Sequence, residues 1–201
     1  MILFHTIRYH FIFKIMHELS NSELYEAIEY ARNIDESAGQ NILNNFHLEQ
    51  PALAEAIFNI FPALIAEQNR EMSNMFMELC FDTLCVYQYT FGNAPPQTEE
   101  CLERQVALMD AEFQALIPEN EMKPKIRTKL KNRFSDRAFN ENTQMGLIKV
   151  LNESIDEYAS ENISRVPFIK FTQTMIFAVV RLFSKLYSEA AKKKYCMILK
   201  I

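Results

Sequence analysis

Apolar residues recur every three or four positions along most of this chain, and that spacing limits the fold more than any other feature of the sequence. Leu102, Val106, Met109, Phe113 and Leu116 keep it, as do Phe168, Phe171, Met175, Val179, Leu182 and Leu186. A stripe of this period lies along one face of an α-helix. Alternating strand patterns closed by turn dipeptides do not occur, so the chain is expected to be all-α. The expected architecture is a single irregular helical bundle of six to seven helices with one long Pro-kinked central helix.

Helix punctuation places the elements. Ser20 and Glu23 form a capping box, and Leu19 and Leu24 are set for a hydrophobic staple. A first helix is therefore expected from Ser20 to about Ser37, with Leu24, Ala27, Ile28 and Ala31 inward and Gly39 ending it. A short turn over Ile42 to Phe46 should follow. Pro51 suits a first helical position and Pro62 interrupts an apolar stretch, which predicts one helix that kinks near Phe61 and runs on to Phe91. Gly92 and Pro95-Pro96 stop it. Thr98 caps the next helix and Pro118 ends it. A basic helix from Pro124 to about Arg137 comes next. Another runs from about Glu141 to Tyr158, with Met145, Ile148, Leu151, Ile155 and Tyr158 on one face, and a long last helix starts near Pro167.

With 201 residues, 49% of them apolar, the chain has enough mass for one core, and no repeat or low-complexity linker divides it. Residues 16–195 read as one helical domain and residues 196–201 as a short tail. Residues 1–15 are apolar and basic, but Arg8, His10 and Lys14 break any signal-peptide core and no small-residue cleavage site follows. The expectation is that they are a leader outside the native chain, which would begin at Met16. No transmembrane segment is expected, because the leader is too short and Lys170, Arg181 and Lys185 interrupt the last helix. Lys192, Lys193 and Lys194 suit the negative end of a helix dipole, and Cys196 stands too far from the end for prenylation.

Several chemistries are excluded by counting. Three glycines, Gly39, Gly92 and Gly146, cannot build the loop that cradles a phosphate, so P-loop and dinucleotide-binding functions fall away. The four cysteines, Cys80, Cys85, Cys101 and Cys196, have no C-x-x-C spacing and point to a reducing cytoplasm. Cys80 and Cys85 fall on different faces of their helix and are expected to be buried small hydrophobes.

At 100° per residue, Glu71, Glu78, Asp82 and Tyr89 form a narrow polar stripe on an otherwise apolar helix. Carboxylates in such a place could ligate metals, but a di-iron bundle needs Glu-x-x-His pairs, and His47 has no glutamate three residues before it. No metal, cofactor or catalytic residue is assigned. A solvated or ion-paired stripe is the simpler reading. Serine chemistry lacks a G-x-S-x-G elbow, and His47 sits in a polar segment that reads as surface.

The net charge of −5 hides a partition. Residues 16–120 hold 18 Asp or Glu against three Arg and no Lys, whereas residues 121–201 hold 16 Lys or Arg against eight acids. Lys123, Lys125, Arg127, Lys129, Lys131 and Arg133 occur without one acid between Met122 and Ser135, and Ile126, Leu130 and Phe134 form an apolar ridge among them. Such a helix suits phosphate, an anionic surface or an acidic protein groove. The sequence thus favours a cytoplasmic helical bundle that works by protein–protein interaction or self-association, as an adaptor, regulator or oligomeric accessory factor. The alternative is a nucleic-acid-associated protein using residues 123–137, although no helix-turn-helix or interleaved aromatics accompany them. A bundle with a small-ligand pocket near the carboxylate stripe is the third reading.

Overall fold

A computed structural model describes residues 16–94, 100, 103, 104, 107 and 143–198, the last ten by their backbone alone. The fold is all-α, and no strand occurs among the described residues. Seven α-helices carry it there: α1 (Asn21–Arg32), α2 (Glu36–Glu49), α3 (Pro51–Glu55), α4 (Phe61–Ala66), α5 (Arg70–Phe91), α6 (Met145–Ser160) and α7 (Ile169–Ile198). The helix expected from Thr98 to Pro118 and the basic helix 124–137 lie outside the described residues, except that Glu100, Glu103, Arg104 and Ala107 are helical.

The start of α1 follows the expected capping box. Ser20 accepts from the Glu23 backbone N–H, and the Glu23 carboxylate accepts from the Ser20 N–H at 2.9 Å. Those Ser20 bonds, with His17 beside them, hold the Glu23 carboxyl down at about 2. Leu24, Ala27 and Ala31 are buried, and Ile28 is half-buried against the same core.

The expected helix to Ser37 is corrected. It ends at Arg32, where Asn33 caps it by donating from its amide to the Glu29 carbonyl. Asp35 then starts α2 by accepting from the Ala38 N–H at 2.8 Å. The turn expected over Ile42 to Phe46 is instead the middle of α2, and Gly39 lies inside that helix rather than after it. Gly39 is there for closeness: a Cβ would stand 3.3 Å from the Phe81 ring, so α2 packs on α5 where a side chain would hold it off.

The long kinked helix is also corrected. Pro51 does open a helix and the disturbance does centre on Pro62, but a π-turn spans Ala56–Ile60 just before it. Pro62 has no N–H to give and its ring crowds the preceding turn, so the backbone widens there. The run then stops altogether at Ala66. Asn69 starts α5 afresh by accepting from the Met72 N–H at 3.0 Å, and Ser73 ties the two segments by donating to the Pro62 carbonyl. Gly92 ends α5 with φ at 88°, a backbone state that favours glycine.

Helix α5 is the centre of the bundle, packed by α1, α4 and α7, and α6 lies against α7. It is buried on nearly every side, through Met72, Phe76, Leu79, Leu84, Val86, Tyr87 and Phe91 among others. In α6, Ile148, Leu151 and Ile155 are buried as expected, but Met145 is 53% exposed and Leu147 takes the inner position. Residues 16–19 tie the start of the first described stretch to the start of α6. Gln144 donates to the His17 carbonyl and accepts from the Leu19 N–H, while Glu18 accepts from the Gly146 N–H at 2.8 Å. Glu18 thereby caps α6, whose own N-cap residue, Gln144, supplies no side-chain cap.

A 3₁₀ turn at Val166–Phe168 leads into α7, whose Met175, Val179, Leu182 and Leu186 face the core. By length and composition, Val166–Ser188 also meets the measure of a membrane span, with mean hydropathy 1.4. The core helix of a soluble bundle meets the same measure, and half of this stretch is buried within the protein.

Candidate functional site

The stripe on α5 can now be read residue by residue. At its first turn Glu71 meets Arg165, which follows α6, with Nε donating to Oε2 at 2.6 Å. The Arg165 side chain is 13% exposed and lies 3.9 Å over the Tyr158 ring, with Nη1 donating to the Tyr158 carbonyl. The Glu71 bond holds the Arg165 proton more tightly than usual. Midway, Asp82 faces α1 and stands 3.8 Å from Arg32 Nε. Burial lifts the Asp82 carboxyl above its ordinary range, Arg32 opposes that rise and nearby Glu78 adds to it. At the last turn Tyr89 stacks on Tyr30 with ring centroids 4.7 Å apart. Glu78 is exposed.

These four residues do not converge. Glu71 and Asp82 are eleven positions apart, about 16 Å along a helix, and three of the four engage three different partners. Among the described residues, no group of three His, Cys, Asp or Glu side chains gathers as a metal would need. His47 is exposed, with Nδ1 2.9 Å from the Leu43 carbonyl oxygen. Cys80 and Cys85 are buried and unbridged. Burial raises the Cys80 thiol well above its ordinary value, and burial with the Asp82 charge pushes Cys85 up to about 12. Burial thus disfavours the thiolate, the reactive form, at both positions.

The opposite side of α5 carries a polar arrangement that the sequence reading missed. Tyr87 is wholly buried, stacks on Phe183 at 5.2 Å and sits 5.4 Å from the Tyr187 ring. Its hydroxyl donates to the Val180 carbonyl and lies 2.6 Å from Ser184 Oγ, while the Tyr187 hydroxyl donates to the Gly92 carbonyl at 2.7 Å. Both phenols are pushed well above their usual range, first by burial. These hydroxyls fasten α7 to α5 and its terminus. The available signal was the four-residue spacing of Tyr87 with Phe91 and of Phe183 with Tyr187.

What stands open is the outer face of α1. Ser22, Tyr25, Glu26, Glu29, Tyr30 and Asn33 are exposed there, with Tyr25 at 68%. Glu26 and Glu29 form a ridge with a groove on either side. One groove, about 500 Å³, lies between α1 and α6 and is lined by Leu24, Tyr25, Ile28, Glu29, Arg32 and Val150 among others. The second, about 280 Å³, lies over the stacked Tyr30 and Tyr89 and is lined also by Glu26, Glu29, Asn33 and Ile34. The six cations Lys123, Lys125, Arg127, Lys129, Lys131 and Arg133, the other surface read from sequence, lie outside the described residues.

No protein-family model, curated protein or solved structure matches this chain. Carboxylates beside exposed tyrosine faces attract ammonium and guanidinium groups, since the ring face and the carboxylate are both negative. The apolar floor of the larger groove, from Leu24, Ile28 and Val150, suits aliphatic or aromatic side chains.

Proposed function

We propose that this protein works by protein–protein contact, as an adaptor, regulator or oligomeric accessory factor in the cytoplasm, and that it does so through the outer face of α1. The observation that carries this reading is the contrast in how polar groups are used. Glu71, Asp82 and Tyr87 of α5 are engaged with groups on other elements, whereas Glu26, Glu29, Tyr25 and Tyr30 stand exposed around two grooves. Tyrosine is enriched at interaction surfaces, because the ring gives large contact area at low entropic cost. The two buried, unbridged cysteines suit a reducing compartment.

The test is photo-crosslinking in the cell, with a benzophenone residue replacing Tyr25 and, as the control, Leu48, which is 81% exposed on α2. Protein adducts at position 25 and none at 48 are expected. An absence of adducts at position 25 overturns the proposal.

A further inference from the structure

The proposed function leaves the occupant of the α1 face unnamed, and the inference that follows rests on that reading. We infer that the face is an interface with a second copy of this chain, whose segment 123–137 lies along the larger groove. The face and the segment are complementary in charge and in shape. Residues 16–36 hold six acids against one Arg, and Glu26 and Glu29 form the ridge beside the groove. Segment 123–137 holds seven Lys or Arg against one Asp, with no acid before Ser135.

The order of residues matches as well. Ile126, Leu130 and Phe134 recur at four-residue spacing, which on a helix makes a ridge with cations on both flanks. The groove has Leu24, Ile28 and Val150 along it and Glu29 on its α1 side, with Glu26 on the far slope of the same ridge; the cation that also lines it, Arg32, faces Asp82 at 3.8 Å. Laid into the groove, the apolar ridge meets the apolar floor and one flank of cations meets Glu26 and Glu29. Lengths agree too. Helix α1 spans twelve residues, about 18 Å, and a helical segment of fifteen spans about 22 Å. Reciprocal exchange between two copies repeats the contact twice, the usual form of a two-fold dimer.

The experiment uses the full chain and light scattering after gel filtration. Wild type is expected at twice the single-chain mass at low salt and to dissociate as salt rises, because exposed charges are screened beyond about 10 Å at 0.1 M. Glu26→Lys/Glu29→Lys, which spoils the face, and Lys125→Glu/Lys129→Glu/Arg133→Glu, which spoils the segment, should each be monomeric, with helical circular dichroism unchanged. Mixed in equal amounts they should form a heterodimer, since one supplies an intact segment and the other an intact face. That complementation fails if either variant is misfolded and cannot arise from docking within one chain. A wild type that is monomeric throughout, a dimer that survives Glu26→Lys/Glu29→Lys, or variants that do not pair on mixing would overturn the inference. Crosslinks from position 25 to a different protein, with the chain itself monomeric, would overturn it while leaving the proposed function standing.

Discussion

Tyr87 and Tyr89 stand two residues apart on one helix and lead opposite lives. About 200° of rotation separates them, which turns Tyr87 into the core and Tyr89 to the surface. Tyr87 is wholly buried, its ring stacked on Phe183 and its hydroxyl shared between Val180 and Ser184. Tyr89 is half exposed and stacks on Tyr30, which is itself 42% exposed. The inner pair closes the bundle; the outer pair floors a groove. One helix thus serves as the structural axis on one side and as part of the candidate interface on the other. Substitutions on the inner side should therefore be read as changes in stability, and those on the outer side as changes in association.

The sharpest way to break this comparison is Tyr87→Phe, which keeps the ring and removes the hydroxyl. The Val180 carbonyl and Ser184 then lose a buried partner, and a loss of about 1–3 kcal/mol is expected in chemical denaturation. Ser184→Ala made with it should recover part of that loss, because the orphaned hydroxyl goes too. Equal stability of Tyr87→Phe and wild type would mean that the inner hydroxyls do not fasten α7 to α5.

A smaller effect is expected at the seam between α1 and α5. Arg32→Ala removes the cation facing a mostly buried Asp82 and should destabilise at neutral pH, whereas Asp82→Asn should be neutral or stabilising there. The sign follows from the raised carboxyl. Its folded-state pKa lies above the ordinary value of 3.8, so the folded state binds the proton more tightly than the unfolded chain. This group's contribution is then fully present below 3.8 and is lost as pH rises through the folded value. Denaturation between acid and neutral pH should show that fall in the difference between wild type and Asp82→Asn, since Glu23, held low, changes stability with the opposite sign in both proteins.

The smallest stability change belongs to the outer pair. Tyr89→Ala gives up one exposed stack, and about 0.5–1.5 kcal/mol is the range for such pairs. Its melting temperature should stay near that of wild type. If Tyr89→Ala proves as damaging as Tyr87→Phe, the outer pair is structural and the contrast between the two sides of α5 collapses.

Much of the fold was legible because its signals are local. The capping box at Ser20 and Glu23, Pro51 at a helix start and the positive φ of Gly92 all act within one turn of chain. The caps Asp35 and Asn69 were equally local and equally readable, each a short acceptor three residues before the N–H that it takes. At the first joint Ala31, Ile34 and Ala38 keep the helical period and hide the break, whereas at the second the polar run from Glu67 to Glu71 marks it openly. Gly39 misled for a different reason. Its closeness to Phe81 is a contact between helices, and a glycine that admits a neighbour looks in sequence like a glycine that ends a helix.

The α5 stripe shows where such reading stops. Periodicity placed Glu71, Asp82 and Tyr89 on one side of a helix, but their partners Arg165, Arg32 and Tyr30 come from elsewhere in the chain. The sequence alone determined the all-α class, the capping box of α1 and most of the apolar faces, because such signals are interactions between residues three or four apart. Only the tertiary structure decided which polar groups were used up in closing the bundle and which were left outside. That choice rests on which helix lies beside which, through pairs as distant as Leu19 with Gln144 and Tyr87 with Ser184, and no local spacing encodes it.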